Sequence, residues 1–370
     1  MTDTLSSRSR ATGERVVVAM SGGVDSSVAV SLLQQEGYEV IGITLQLQAC
    51  ESVATSRSCC GVDSISRAQA VAGRLGIRHY VLNAVDEFND RVLEPSWREY
   101  ANGRTPSPCL LCNERIKFGT LLSRTRELGG TRLATGHYAR ITTDEHGTGS
   151  LLRGVDPGKD QSYFLAGITQ EQLRSVLFPL GGLHKRDVRE LAQRLRLPNA
   201  DAHESQDACL MAPGQSFAEM LRQRFGDAPK AGPIVDGKGT VLGHHNGIHH
   251  YTVGQRRGLG IQSPRPHWVK AISRTESAVV ATDSQLDLDG NEFIATGMNW
   301  LRGPTFEEAG ICRVQVRYRH TPETATVKRL SPDAVHVALA HPVRAITPGQ
   351  AAVFYDGERV LGRGWIDVSE

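Results

Sequence analysis

The segment Ser21-Gly22-Gly23-Val24-Asp25-Ser26-Ser27 joins a short apolar run, Val16 to Met20, to a stretch of helical character, Ser26 to Glu36. A strand that feeds a helix through two adjacent glycines confines this part of the chain to an α/β architecture, because the helix must pack back across the strand's own sheet. The same turn makes an anion site. Glycines let the backbone pass close to a phosphate, Ser21 and Ser26 supply hydroxyls, and the N–H groups of the first helical turn have no intrahelical acceptor. Asp25 stands where a carboxylate helps to hold Mg2+. The Gly-Lys-Ser/Thr ending, whose lysine reaches the outer phosphates in the common kinase loop, is absent, which argues against transfer of the outer phosphate. A plain strand-to-helix turn accounts for Ser-Gly-Gly but not for the Asp-Ser-Ser that follows.

The alternation continues. Val40 to Leu47, His79 to Asn83 and Arg132 to His137 read as further apolar strands, separated by helical stretches at Asp63 to Leu75, Phe88 to Tyr100 and Glu114 to Leu128. The pattern predicts a doubly wound parallel sheet, with the Ser21 loop and Gly136-His137 at the carboxyl ends of strands, where such sheets bind ligands. Gly147 and Gly149 mark a hairpin, and helices follow near Arg186 to Leu195 and Ser216 to Phe225. After about Gly232, short strands broken by Gly, Pro, Asn and Asp predominate. They predict a small central β-rich module and a C-terminal β-barrel. Boundaries near residues 212 and 280 divide the chain into a nucleotide-binding catalytic domain (1–212), the central module (213–279) and the barrel (280–370).

The 42 basic residues are nearly balanced by 40 acidic ones, so contact with nucleic acid must come from local clustering. Ile311 to His320 is one such cluster. As a strand it places Arg313, Gln315, Arg317 and Arg319 on one face and Cys312, Val314, Val316 and Tyr318 on the other; a solvated strand face is the competing reading. Only 7 of the basic residues are Lys, a bias that suits phosphate contacts but that a GC-rich genome explains better. The first 13 residues are polar and contain no apolar run, so the expectation is a cytoplasmic enzyme with no membrane partner. In a reducing compartment the seven cysteines point to redox, persulfide or metal chemistry rather than a disulfide framework.

Cys109-Leu110-Leu111-Cys112 follows Thr105-Pro106-Ser107-Pro108, a stiff extended lead-in, and precedes a helix expected from about Asn113. Cys112 would then sit at a helix N-terminus, where the positive end of the dipole lowers a thiol pKa from about 8.5. Structural zinc would need a second pair, and Cys50, Cys59-Cys60, Cys209 and Cys312 supply no clean one. Cys209, taken alone, reads as a small buried hydrophobe. His244, His245, His249 and His250 have no carboxylate or cysteine at a suggestive spacing and read as surface or packing histidines.

The Ser21 loop resembles the signature of the ATP-dependent pyrophosphatase-loop enzymes, which split ATP between its first and second phosphates. Five further segments are, in order, Thr105 to Gly119 (TPSPCLLCNERIKFG), Ala134 to Arg140 (ATGHYAR), Gly158 to Leu165 (GKDQSYFL), Ser205 to Cys209 and His250 to Ile261 (HYTVGQRRGLGI). Together the six resemble the tRNA-specific 2-thiouridylase family over nearly the whole chain. The resemblance implies an adenine nucleotide α-hydrolase-like first domain and a C-terminal barrel that contacts tRNA. It implies Cys112 as catalytic nucleophile and Cys209 as the carrier of persulfide sulfur. Ala19, Met20, Ser21, Gly22, Gly23, Val24, Asp25, Ser26, Leu45 and Gly136 match the family's ATP contacts. His137, Lys159, Asp160, Gln161, Arg317, Tyr318 and Gln350 match its tRNA contacts. The implied partners are tRNA and a sulfur donor protein, a cysteine desulfurase or sulfur relay protein.

The implied reaction is 2-thiolation of the wobble uridine, position 34. The C2 oxygen of uracil leaves poorly, so ATP first converts it to an adenylate, with Mg2+ and backbone N–H groups stabilising the departing pyrophosphate. A persulfide on Cys209 then supplies sulfur and Cys112 resolves it as a disulfide. The sequence departs from one common family pattern, which has Asp at the position of Cys109. Cys109, Cys112 and Cys209 would also suit a four-iron four-sulfur cluster with an open iron, as in the cluster-dependent thiolation enzymes. Leu45-Gln46 is a second departure, where many members have Met-Lys. Competing readings are another adenylating enzyme, such as an amide synthetase or a tRNA lysidine synthase, which lacks the paired cysteine motifs, and a non-catalytic RNA-binding or iron-sulfur protein.

Overall fold

Three consecutive valines form the centre of the N-terminal sheet. In β1 (Arg15–Ala19), Val16 and Val18 pack on one face and Val17 on the other, all fully buried. Burial on both faces requires the unbroken apolar run of a parallel strand rather than an alternating one, and each valine contributes roughly 1.5–3 kcal/mol. This computed structural model describes residues 13–48, 62–202, 216–226, 230–302 and 309–367.

β2 (Glu39–Gln46), β3 (Arg78–Asn83) and β4 (Arg132–Thr135) follow, then the hairpin β5 (Ala139–Thr143) and β6 (Gly149–Arg153), then β7 (Val176–Leu177). The parallel sheet has the order β3-β2-β1-β4-β7. Helices α1 (Val24–Gln35) and α2 (Val62–Leu75) lie between its first three strands. The chain runs outward from β1 through β2 to β3 and returns to β4 on the far side of β1. The gap between β1 and β4 is therefore the point at which the order reverses, where open α/β sheets bind ligands.

A second sheet, ordered β10-β11-β8-β9, comprises β8 (Gly232–Val235), β9 (Val241–His245), β10 (Trp268–Ser273) and β11 (Ala278–Thr282). The rest of the chain is a closed antiparallel barrel of six strands: β12 (Asp289–Trp300), β13 (Ala309–Gln315), β14 (Glu323–Ser331), β15 (Ala334–Arg344), β16 (Ala351–Asp356) and β17 (Arg359–Asp367). Pairing of β12 with both β15 and β17 closes the ring and leaves no free edge. The hairpin β5–β6 joins the outside of β17, where Leu152 pairs with Arg359. One apolar cluster thus runs from Val17 and Ile43 through Leu151 and Tyr163 to Val353 and Tyr355.

The strand expected across Ile311 to His320 stops at Gln315. Cys312 and Val314 point inward and Arg313 outward, as the alternation predicts, but Gln315 is buried. Its Oε1 accepts from Arg153 at 2.9 Å and its Nε2 donates to the Arg317 carbonyl at 3.1 Å. That amide closes a turn, Arg319 takes the left-handed conformation with φ of 62°, and the basic stripe is broken. The expected strand Arg132 to His137 likewise ends at Thr135.

Arg363 of β17 holds the barrel to the first domain. It is nearly buried, donates to the Gly297 carbonyl at 2.6 Å, lies over the Trp365 ring at 4.8 Å and pairs with Glu114 on the helix that carries the cysteines. Arg363→Ala strands a half-buried carboxylate. The expected loss is about 2–3 kcal/mol, below that of a fully buried pair because Glu114 retains some water. A lower urea midpoint checks this; an unchanged one shows that the pair holds nothing together.

Candidate active site

Ala19 lies between Ile43 of β2 and Thr135 of β4, so the segments leaving β1 and β4 emerge side by side. Met20 anchors the first of them: it is buried, its N–H donates to the Ile43 carbonyl at 2.7 Å and its carbonyl accepts from Thr44 Oγ1 at 2.8 Å. Ser26 Oγ accepts the Ser21 N–H at 3.2 Å, while the Ser26 and Ser27 hydroxyls donate to the Gly23 carbonyl at 3.1 and 3.0 Å. These bonds fold the loop over the start of α1. Asn199 closes it from behind, donating to the Gly22 carbonyl at 2.9 Å and to Ser27 Oγ at 3.0 Å.

Two glycines are required by geometry. Gly22 has φ of 73°, and a Cβ there would collide with the Ser64 carbonyl; a Cβ on Gly136 would lie 2.8 Å from the Ser26 nitrogen. Gly23 caps α1 without a side-chain bond, which leaves the N–H groups of Val24, Asp25 and Ser26 without intrahelical acceptors. Backbone donors and a positive helix end therefore face the gap between β1 and β4, as an anion site needs. Leu45, half-buried near the end of β2 and paired with Leu82, lies toward the same edge of the sheet.

Asp25 has two partners that the sequence reading missed. Lys185 Nζ lies 2.6 Å from Asp25 Oδ1, and the Tyr138 hydroxyl donates to the same oxygen at 2.8 Å. The Lys185 side chain is 11 % exposed and that of Asp25 33 %. Lys185 opens the helix Lys185–Arg194, with its N–H bonded to Asp156 Oδ2 at 2.9 Å. A signal was present, since a lysine in a first helical turn opposes the helix dipole and needs another reason to be there. Tyr138 lies within one of the quoted segments, beside Gly136.

The cysteine helix begins earlier than expected. Ser107 precedes its first residue and Pro108 occupies the first turn, where a missing N–H costs nothing. Pro108–Leu111, Cys112–Thr120 and Leu121–Glu127 run end to end, the middle segment being a widened π-helix in which the Leu121 N–H reaches back to the Ile116 carbonyl. Such widenings are frequent at functional sites. Cys109 is exposed and Cys112 half-buried one turn later, on the same side of the helix. Cys112 is therefore not at the helix N-terminus. Burial pushes the Cys112 thiol above the ordinary range, and the nearby Lys117 charge opposes this without overcoming it. The lowered pKa expected for Cys112 is corrected accordingly. Cys312 is buried in the barrel with its thiol pushed up to about 12 by burial, as suits a packing residue. Cys209 lies outside the described residues, as do Cys50, Cys59 and Cys60.

Of the residues expected to contact tRNA, several are engaged within the protein. Gln350 Nε2 donates to the Thr105 and Pro106 carbonyls at 3.1 and 2.9 Å, and Thr105 Oγ1 donates to Thr252 Oγ1 at 3.2 Å, so the lead-in to Cys109 is gripped by the barrel and the central module. The Asp160 carboxylate accepts from Arg153, from the N–H groups of Gly154 and Ser162 and from the Ser162 hydroxyl, all at 3.0 Å. Gln161 Oε1 accepts the Tyr138 N–H at 3.0 Å. Lys159 is half-buried in the turn before them. Arg317 donates to the Arg344 carbonyl at 2.8 Å, and Tyr318 packs against Phe164 with ring centroids 4.3 Å apart. His137 bonds Thr135 Oγ1 at 2.7 Å between the rings of Phe118 and Phe178, and burial holds it well below the usual imidazole range.

The histidine reading needs one correction. His245 and His249 are buried, in keeping with packing roles, but His249 and His250 do have a carboxylate neighbour. Glu219, about thirty residues earlier in the chain, is brought to them by the helix Phe217–Phe225. Spacing along the sequence cannot show a contact made between a helix and a later turn of the chain.

Comparison with known proteins bears on the whole chain. Residues 14–213 match the family described as tRNA methyl transferase HUP domain, residues 218–283 the tRNA methyl transferase PRC-barrel domain, and residues 290–366 the aminomethyltransferase beta-barrel domain. The tRNA-specific 2-thiouridylase MnmA of Geobacter metallireducens is 46% identical over 364 residues, covering 96% of this chain and 97% of that protein. The proteins of the same description from Geotalea uraniireducens and Carboxydothermus hydrogenoformans are 46% and 43% identical, each across 96% of this chain and across 95% and 98% of their own lengths.

Proposed function

We infer the residue roles from one premise: this chain belongs to the tRNA-specific 2-thiouridylase family and is a tRNA-uridine 2-sulfurtransferase that uses ATP. The matched domain families carry methyl-transfer names, but a loop built for ATP phosphates and a helix carrying two thiols are equipment for activation and sulfur delivery. The observation that carries the assignment of roles is the arrangement at the gap between β1 and β4. There the donors of α1, the Asp25–Lys185 pair and the backbone of Gly136 converge.

ATP lies with its phosphates on the first turn of α1 and the backbone around Gly22 and Gly23. The C2 oxygen of uracil 34 attacks the α-phosphate, the bond to the β-phosphate breaks, and pyrophosphate leaves with its charge. Lys185 and the α1 N–H groups stabilise that charge as it develops, and Asp25 and Tyr138 hold the lysine in place. Asp25 fits as a ligand for Mg2+, its carboxylate lying at the phosphate loop with Lys185 and Tyr138 both bonded to Oδ1. When bound, that ion would supply further neutralisation of the phosphates.

The terminal sulfur of a Cys209 persulfide then attacks C2, and AMP departs with the former C2 oxygen. Cys112 thiolate attacks the Cys209 sulfur, which forms the Cys112–Cys209 disulfide and leaves 2-thiouridine; an external dithiol returns the pair to thiols. The burial of Cys112 makes loss of its proton a real cost of this step. A second reading is favoured by Cys109: two thiols one turn apart on one helix suit a cluster and are more than a relay needs. Cys109, Cys112 and Cys209 would hold a four-iron four-sulfur cluster, which would supply sulfide at its open iron.

Asp160 and Gln161 position Tyr138 and the turn beyond it, and Gln350 positions the cysteine lead-in, while Arg317 and Lys159 supply charge toward the tRNA backbone. Incubation of unmodified tRNA with the protein, ATP, Mg2+ and a sulfur source should yield 2-thiouridine at position 34 by nucleoside and fragment mass spectrometry. Thiolation confined to another position would overturn the assignment of the wobble base.

A further inference from the structure

We propose that Glu219, His249 and His250 form a binding site for one divalent transition-metal ion of the zinc class. Glu219 sits in the first turn of the helix Phe217–Phe225, whereas His249 and His250 are consecutive in the short turn Ile248–His250. Their ligand atoms lie within 4.8 Å of one another, and among the described residues no other three His, Cys, Asp or Glu side chains do so.

Glu219 Oε2 is 3.7 Å from His249 Nε2 and 3.9 Å from His250 Nε2. Both separations are too long for hydrogen bonds. They approach the roughly 3.3–3.4 Å between two ligands of a four-coordinate zinc whose bonds are about 2.0–2.1 Å. The His249 side chain is 5 % exposed, and its Nε2 is buried with no hydrogen-bond partner. A buried ring nitrogen left so is the exception in folded proteins and calls for an occupant.

The carboxylate is prepared for the same occupant. Arg222 donates to Oε2 at 2.9 Å and to Oε1 at 2.7 Å, and Gln223 donates to Oε1 at 3.0 Å. Of about four acceptor positions on a carboxylate, the one left belongs to Oε2, the oxygen that faces both imidazoles. Arg222 and Gln223 orient the group as outer partners orient metal ligands. The arginine charge also repels a cation, which sets the affinity below that of thiolate zinc sites. The His249 ring is steadied by His250, at 4.0 Å between centroids, and by the edge of Trp97 at 5.5 Å. Two imidazoles and a carboxylate are the donor set of zinc sites that keep an open fourth position. His250, 36 % exposed, lies toward solvent. A bound ion ties the helix that follows the Cys209 segment to the turn Ile248–His250.

The test is a zinc titration of full-length, tag-free protein against a chromophoric chelator, beside His250→Ala and His250→Gln. The unaltered protein should take up one equivalent that both variants lose or bind about tenfold or more weakly, and added zinc should raise its Tm but not theirs. Thiols bind zinc too, so Cys109→Ser/Cys112→Ser protein must retain the histidine-dependent equivalent. Equal uptake by the unaltered protein and both variants, or disappearance of that equivalent with the thiols, overturns the site.

Discussion

Lys185→Met should slow tRNA-dependent pyrophosphate release by about 10²–10³-fold, the effect of removing one preorganised donor from a developing anion. Its ammonium is 2.6 Å from Asp25 at the mouth of the phosphate loop, so the substitution takes a positive charge from the place where pyrophosphate separates. Methionine preserves most of the apolar stem, and the Asp25 carboxylate left behind keeps the Tyr138 hydroxyl and access to water. Asp25→Ala should abolish release altogether by removing both the lysine's anchor and the loop's carboxylate. The rate is read under single-turnover conditions with saturating ATP, and far-UV circular dichroism verifies the fold. A Lys185→Met protein that releases pyrophosphate at the normal rate would show the ion pair to be a packing feature only.

Cys112→Ser and Cys209→Ser should each lower thiolation by more than about 10³-fold, the scale of losing a nucleophile that acts as part of a unit, while pyrophosphate release continues. Separation of the two readouts is the essential result: loss of both would place the cysteines in activation rather than in sulfur transfer. Cys109→Asp then distinguishes the two sulfur routes. In a relay the variant keeps most of its activity with no iron; with a cluster it loses iron and activity together. The pH profile carries further information. Burial raises the Cys112 thiol, which depletes the thiolate at neutral pH, so the sulfur-transfer rate should keep climbing above the ordinary thiol value of about 8.5 instead of levelling there. A plateau near pH 7 would mean that bound tRNA or a partner removes the penalty.

Local chemistry made the framework legible. The unbroken run Val16 to Val18 suits a strand buried on both faces, and Gly22 marks a turn that a residue with a Cβ cannot make; both facts are carried by neighbouring residues. The six segments in order pointed to the family for the same reason. The basic strand through Arg319 was misread because its alternation is interrupted by one buried amide, Gln315, whose partner Arg153 is 162 residues away.

Side-chain identities alone determined the strand-to-helix phosphate loop, the paired thiols and the barrel at the C-terminus, since each depends on periodicity or on neighbours within a few residues. Tertiary structure decided which charges meet. Lys185 reaches Asp25 across 160 residues, Arg363 reaches Glu114 across 249, and Glu219 reaches His249 and His250 from a separate helix. It also decided the state of Cys112, because the sequence predicts a helix dipole near that thiol, whereas the burial that outweighs it comes from elements packed around the helix. Coulomb and desolvation energies depend on distance and enclosure in space, and neither is written in the order of residues along the chain.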